Sequence, residues 1–327
     1  MKTFKINIII KLFMLFCIIF EFGKCTDNMI PTVAEFFPEI NGNLNKVVWA
    51  HAVNNQTALS SALKDSKIMM LEADVILGSR TGQDGLQPVM GHPPTTVSDL
   101  TLLEFLEAVI KFQSEHKKGV KLDFKTTESF NASWSAIDLI KSKITFPFFL
   151  NADILSGPID STIKPVDPDI FLSLSSKKFP SSTLSLGWTT RYGPGMEGSY
   201  SQEQLNEMLL ILKKNNIQQP VTLCVRAGIA ANTFEIKTLM DKINDYQQSN
   251  FTTLTIWMST NSDPVNVTNL RDFILYVGPS RTFLDLPKFI LDKLSLDNDS
   301  STSINTTQKA LHTFFVCMYN NILNFFF

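Results

Sequence analysis

Ile68-Met69-Met70-Leu71-Glu72-Ala73-Asp74-Val75 is a short apolar run with two carboxylates near its end. A run of that length reads as a buried strand, and Glu72 and Asp74, two apart, then project to the same face. Similar runs recur at residues 47–51, 120–125, 148–153, 183–188, 221–226, 252–258 and 273–277. Helical patterns lie between them, near 57–64, 100–116, 133–143, 168–178, 202–214 and 233–247, with a weak segment near 267. The spacings Leu102-Leu103-x-Phe105-Leu106-x-x-Val109-Ile110 and Leu205-x-x-Met208-Leu209-x-x-Leu212 each make one apolar helix face. Eight strands alternating with helices call for an α/β protein with a parallel sheet, and eight such units close naturally into a (β/α)8 TIM barrel. An open doubly wound sheet is the alternative, but no glycine-rich dinucleotide loop follows any strand to support it.

The ends of the chain read differently from its middle. Lys2 and Lys5 precede an apolar stretch through Phe20, and Gly23-Lys24-Cys25 follows, so residues 1–25 read as a secretory signal peptide. An uncleaved anchor is the competing reading, weakened by Lys11 inside the run. Export agrees with N-x-S/T sequons at Asn131, Asn250, Asn266, Asn298 and Asn305; a sixth, Asn55, lies close to His51. Residues 26–290 are expected to form the barrel, and 291–327 a polar linker with an apolar C-terminal tail. Asn320, Asn321 and Asn324 in that tail argue against a stable membrane span. Cys17 and Cys25 fall in the signal segment, leaving Cys224, expected as a buried thiol, and Cys317. No disulfide framework follows, and an ordinary hydrophobic core must supply the stability. Removal of residues 1–25 moves the formal charge from −2 to about −5, which gives no electrostatic case for nucleic acid.

In a TIM barrel the active site gathers at the C-terminal ends of the strands. His51, Glu72, Asp74, Asp123, Lys125, Asn151, Asp153, Trp188, Arg226 and Trp257 all fall there. Glu72, Asp74 and Asp123 offer hard oxygen donors suited to Mg²⁺ or Ca²⁺. His51 and His92, two of only four histidines, suit a general acid and base pair, and Lys125 suits phosphate charge. His92 lies in Gly91-His92-Pro93-Pro94, where the prolines restrict the loop. Trp188, Arg226 and Trp257 are candidates for the substrate-facing wall. The competing reading pairs Glu72 or Asp74 with Lys125 or Arg226 as a structural ion pair.

The segment 48–125 resembles PLC-like phosphodiesterase barrels, which include glycerophosphodiester phosphodiesterases and sphingomyelinase D enzymes. The resemblance rests on His51, Glu72-Ala73-Asp74, Gln83-Asp84-Gly85, His92, Asp123 and Lys125. Ala52-Val53-Asn54 replaces the arginine-glycine that follows the first histidine in glycerophosphodiesterases. Over about residues 45–287 the chain more closely resembles the menorin family. The motifs are Trp49-Ala50-His51-Ala52-Val53-Asn54, Leu71-Glu72-Ala73-Asp74-Val75, Gly91-His92-Pro93-Pro94, Lys121-Leu122-Asp123-Phe124-Lys125, Leu184-Ser185-Leu186-Gly187-Trp188-Thr189-Thr190, Val225-Arg226-Ala227 and Leu254-Thr255-Ile256-Trp257. That resemblance implies a secreted or cell-surface protein with a phosphodiesterase-type fold. Two functions are therefore expected. One is metal-dependent cleavage of a lipid or glycerophosphodiester; the other is a non-catalytic extracellular cue that acts in dendrite patterning through protein partners.

Overall fold

The computed structural model of the chain describes residues 30–248, 252–259 and 263–296. Eight parallel strands follow one another side by side: β1 (Trp49–Ala50), β2 (Met70–Arg80), β5 (Gly119–Phe124), β6 (Phe148–Ser156), β7 (Thr183–Thr189), β8 (Val221–Arg226), β9 (Thr253–Trp257) and β10 (Thr282–Asp285). Parallel neighbours require long crossovers. These are supplied by α2 (Gln56–Lys64), α3 (Leu102–Phe112), α4 (Thr127–Ile140), α5 (Pro168–Lys178), α6 (Gln202–Lys214), α7 (Ala227–Ala230) with α8 (Glu235–Gln247), and α9 (Val267–Val277). The order is that of a (β/α)8 barrel. Its seam lies between β1 and β10, which share no ladder and are joined by side chains. The rings of Trp49 and Phe283 meet there at 6.0 Å, and His51 reaches Asp285.

One strand was expected in the wrong place. Residues 273–277 form the end of α9, and the eighth strand is Thr282–Asp285. Leu270, Phe273, Ile274 and Val277 are the buried positions, spaced for a helix that packs one face inward. Four apolar residues in a short run do not separate this arrangement from a strand. Gln83-Asp84-Gly85 lies in a hairpin: β3 (Gln87–Met90) folds back antiparallel on β2, with Gly78 opposite Gln87. Gly82 and Gly85 both take positive φ in its turn, which glycine adopts without steric cost. β4 (Val97–Ser98) then adds a short parallel pairing to the upper end of β2.

A short helix, α1 (Val33–Phe36), and two 3-10 turns precede β1. Val33, Phe37, Ile40, Leu44 and Val47 from this segment pack with Met69, Met70, Phe149 and Phe283. They form an apolar floor at the N-terminal ends of the strands. Above it the lumen turns polar. Outside the strands the helices bury aromatic residues; Phe124, Phe130 and Phe171 form one such group, with Phe130 and Phe171 centred 4.6 Å apart.

The barrel belongs to a compact unit that runs through Pro287, while α10 (Lys288–Leu294) belongs to a second. No helix among the described residues is long and apolar enough to cross a membrane. Cys224 is a buried free thiol. Asn131, on α4, and Asn266, the N-cap of α9, are both exposed. Asn250, Asn298, Asn305, Cys317, the signal segment and the apolar tail lie outside the described residues.

Candidate functional site

Strand alternation turns every second residue of a barrel strand into the lumen. Glu72 and Asp74 therefore enter from β2, and Asp123 enters from β5, whose register sets Asp74 opposite Asp123. Lys125, just past β5, places Nζ 2.6 Å from Asp74 Oδ1 and 2.5 Å from Asp123 Oδ2. Each remaining carboxylate oxygen has its own donor. Asn54 Nδ2 donates to Asp74 Oδ2 at 2.6 Å, and Asn151 Nδ2 to Asp123 Oδ1 at 2.7 Å. Ser185 Oγ in turn donates to Asn151 Oδ1 at 2.6 Å, which fixes which way that amide faces. The acidic pair is held by three residues, Lys125, Asn54 and Asn151, the last fixed in turn by Ser185.

Glu72 lies one layer deeper and accepts the Ala52 N–H at 2.8 Å on Oε2. This bond folds the chain after β1 back towards β2 and brings His51 over the site. His51 Nδ1 lies 3.0 Å from Asp285 Oδ2 and 3.5 Å from Glu72 Oε2, leaving Nε2 for another partner. Beneath them Lys121 is buried, with Nζ 3.6 Å from Cys224 Sγ and 4.0 Å from Asp285 Oδ2, over the Trp49 ring. A buried ammonium is tolerated only with such compensation.

The charges shift one another strongly. Burial acts to lower the His51 imidazole, but Glu72 and Asp285 outweigh it and raise the ring to about 10. Burial pushes Glu72 up to about 7; His51 opposes that rise and Asp74 adds to it. For Asp123, burial is outweighed by Lys125 and Lys121, and the carboxyl is held below its ordinary range. Burial likewise disfavours charge on Lys125, but Asp123 and Asp74 hold it well above the ordinary lysine range. Burial lifts the Cys224 thiol to about 12, so it is a neutral packing group rather than a nucleophile.

Two overlapping sets of side chains come close enough to hold a cation: Glu72, Asp74 and Asp123, and His51, Glu72 and Asp285, each with ligand atoms within 4.8 Å of one another. Oxygens on opposite sides of one Ca²⁺ stand roughly 5 Å apart, and around Mg²⁺ about 4 Å. The first set, all oxygen, has spacings that suit Ca²⁺, and Mg²⁺ after a small closure. Lys125 must swing away from Asp74 and Asp123 to admit either ion, and its four-carbon stem permits that. The residues present thus fit a hard divalent cation.

The Menorin N-terminal domain matches residues 43–291 of the chain. The protein belongs to the menorin family. Human protein FAM151B is 38% identical over 243 residues, covering 74% of this chain and 82% of FAM151B. Among solved structures, the chain resembles N2152 from Neocallimastix frontalis at a TM-score of 0.40 and 14% identity, over 76% of this chain and 62% of that one. It also resembles the apo form of the 3-keto-D-glucoside 4-epimerase YcjR from E. coli, at 0.41 and 10%, over 77% and 98%.

The remaining site candidates of this menorin-family chain fall in different places. His92 is exposed, on a loop whose base is tied to the site by Gly91 N–H donating to the Asp74 carbonyl at 2.9 Å. Its Nδ1 lies 2.7 Å from the Pro93 carbonyl. Arg226 is buried and makes a bidentate pair with Asp263, both bonds 2.8 Å. It also donates to Thr190 Oγ1 and the Tyr192 carbonyl, and stacks on Trp257 and Tyr192. A guanidinium with four such bonds ties three loops together and supports the half-buried Trp257 from behind. Trp188 does not line the lumen. It is buried against Tyr200, with Nε1 3.4 Å from the Gln204 carbonyl of α6, so it packs between barrel and helix. At the end of β7 its parity is opposite to that of Ser185 and Gly187.

Asp285, Lys121 and Asn54 were missed as site residues. Asp285 closes the strand Thr282-Phe283-Leu284-Asp285 just as Asp74 closes β2, a signal hidden by assigning the eighth strand to residues 273–277. Lys121 shares parity with Asp123 and Lys125 and was legible on that ground.

Proposed function

We propose that this menorin-family protein is a secreted, metal-dependent phosphodiesterase acting on a lipid or glycerophosphodiester. The observation that supports it best is the meeting of Glu72, Asp74 and Asp123 in one lumen, with Lys125 between two of them and His51 oriented by Asp285. Bound Mg²⁺ or Ca²⁺ would polarise a phosphoryl oxygen and stabilise its charge. The chain's own groups supply the rest. Lys125, displaced from its carboxylates, neutralises a second phosphoryl oxygen. His51, held protonated by Asp285 and Glu72, donates its Nε2 proton to the leaving oxygen. His92, on its own loop, takes the proton from the attacking water or neighbouring substrate hydroxyl as its oxygen bonds to phosphorus. Asp285 is a positioning residue that fixes the His51 ring through Nδ1, as carboxylates commonly do for working imidazoles. The signal-like residues 1–25 and the exposed Asn131 and Asn266 sequons support export.

Purified protein loaded with Mg²⁺ or Ca²⁺ is to be assayed on lysophospholipid, sphingolipid and glycerophosphodiester substrates, beside His51→Ala and His92→Ala. Turnover by the wild type is expected, with each variant slower by about 10²–10⁴. Absence of turnover from all three substrate classes, with protein-partner binding untouched by both substitutions, would replace this reading with the non-catalytic extracellular cue.

A further inference from the structure

Asp153 closes the lumen side of β6 and is half-buried. Its carbonyl accepts the Val166 N–H at 2.9 Å, but no hydrogen bond or ion pair reaches its carboxyl from the described residues. The other lumen carboxylates are all engaged: Glu72 by Ala52, Asp74 by Asn54 and Lys125, Asp123 by Lys125 and Asn151, Asp285 by His51. Asp153 also lies outside both sets able to hold a cation. Room has been left for it. Its neighbour across the β6–β7 ladder is Gly187, where a Cβ would collide with Asp153 Oδ1.

A carboxyl kept in a narrow lumen with no partner is relieved either by keeping its proton or by a ligand that hydrogen-bonds it, and burial together with Asp123 pushes Asp153 up to about 7. A hydroxyl suits it in either state, since it can donate to the carboxylate and accept from the protonated acid. Of the cations that act on Asp153, Lys121 and Arg226 are committed to Asp285 and Asp263, while Lys125 pairs with Asp74 and Asp123 and, once a metal displaces it, with the phosphoryl oxygen. Those cations are already matched by the neighbouring carboxylates, so a neutral hydroxyl completes Asp153 without adding charge to the lumen. We infer that Asp153 is the specificity-determining residue of the site, accepting a hydrogen bond from a hydroxyl on the alcohol moiety of the phosphodiester. The inference rests on the phosphodiesterase reading and adds the substrate class, a polyol or other hydroxyl-bearing phosphoester.

Binding can test it without turnover. The full protein, loaded with Ca²⁺, is titrated calorimetrically with glycerol 3-phosphate and with propyl phosphate, which has the same carbon count and no free hydroxyl. Wild type is expected to prefer glycerol 3-phosphate by about 10- to 100-fold, the range for a hydrogen bond to a charged group. Asp153→Ala is expected to erase the preference while leaving propyl phosphate affinity unchanged. Asp153→Asn, whose amide oxygen still accepts, should retain part of it. If Asp153→Ala does not fold, Gly187→Ala carries the test, because it turns the carboxyl aside without removing it. Equal binding of both phosphates by wild type, or a preference that survives either Asp153→Ala or Gly187→Ala, would overturn the inference alone. Failure of both phosphates to bind would overturn the phosphodiesterase reading with it.

Discussion

Ala52 shows how single residues are spent on the site. It follows His51 with φ +55°, a left-handed conformation that costs an L-residue roughly 1–2 kcal/mol. The conformation aims the Ala52 N–H at Glu72 Oε2, and Val53 N–H then meets the Glu72 carbonyl at 2.9 Å. Glycine adopts this backbone freely but loses more freedom on folding. Ala52→Gly is therefore expected to stabilise the protein by about 1 kcal/mol, the difference of those two effects. A urea midpoint that stays or falls would contradict this account. Asp285 is the second instructive residue. Its carboxylate and that of Glu72 together lift His51 to about 10, so Asp285→Ala should bring the ring back towards its ordinary value near 6.5 in metal-free protein. The imidazole resonances of His51, followed by NMR against pH, measure that directly; an unmoved midpoint would remove Asp285 from its positioning role. His51 itself was legible, as a rare histidine at a strand end. Asp285 was not, because its role depends on a seam that exists only once the barrel closes.

At the scale of elements, legibility followed the strength of the local signal. The helices expected at 168–178 and 202–214 are α5 and α6 with those bounds, since Pro168 and the Ser201-to-Gln204 capping box mark their starts. α4 begins at Thr127, six residues before expectation, because Thr126 caps it ahead of the apolar periodicity. α3 carries the clearest cap. Thr101 Oγ1 accepts from Glu104 N at 3.1 Å, and Glu104 returns a carboxylate to Thr101 N while pairing with Arg80 on β2. Burial works against the Glu104 carboxylate, but these partners outweigh it and hold it below its usual value of 4.5. A carboxyl lowered in the folded state stabilises above the unfolded value, and that contribution disappears as pH falls through the folded one. Glu104→Gln should therefore lower stability at pH 7 and lose its effect near pH 3. Paired urea titrations at the two pH values check the sign, and a penalty that persists at pH 3 would count against it.

At the scale of the whole molecule, the barrel sets its polar layer and its apolar floor at opposite ends of its axis. The polar layer sits at the C-terminal ends of the strands, and the apolar floor at the N-terminal ends is completed by residues 33–47. No periodicity in that segment places it beneath a barrel, since its two turns and one-turn helix bury single side chains rather than a regular face. Phe37 is the largest of these side chains, 2% exposed and set edge-on to Phe36 at 4.9 Å. Truncation of a buried phenylalanine costs about 3–5 kcal/mol, because the cavity closes only in part. In TIM barrels that end of the structure carries stability rather than catalysis. Phe37→Ala is accordingly expected to lose stability on that scale while Ca²⁺ binding, titrated well below the melting transition, stays within about twofold of wild type. The contrasting variant is Asp123→Asn, which should weaken Ca²⁺ by tenfold or more and leave the floor intact. If Phe37→Ala weakens the metal as much as Asp123→Asn does, the floor and the site form one cooperative unit, and the division along the barrel axis fails.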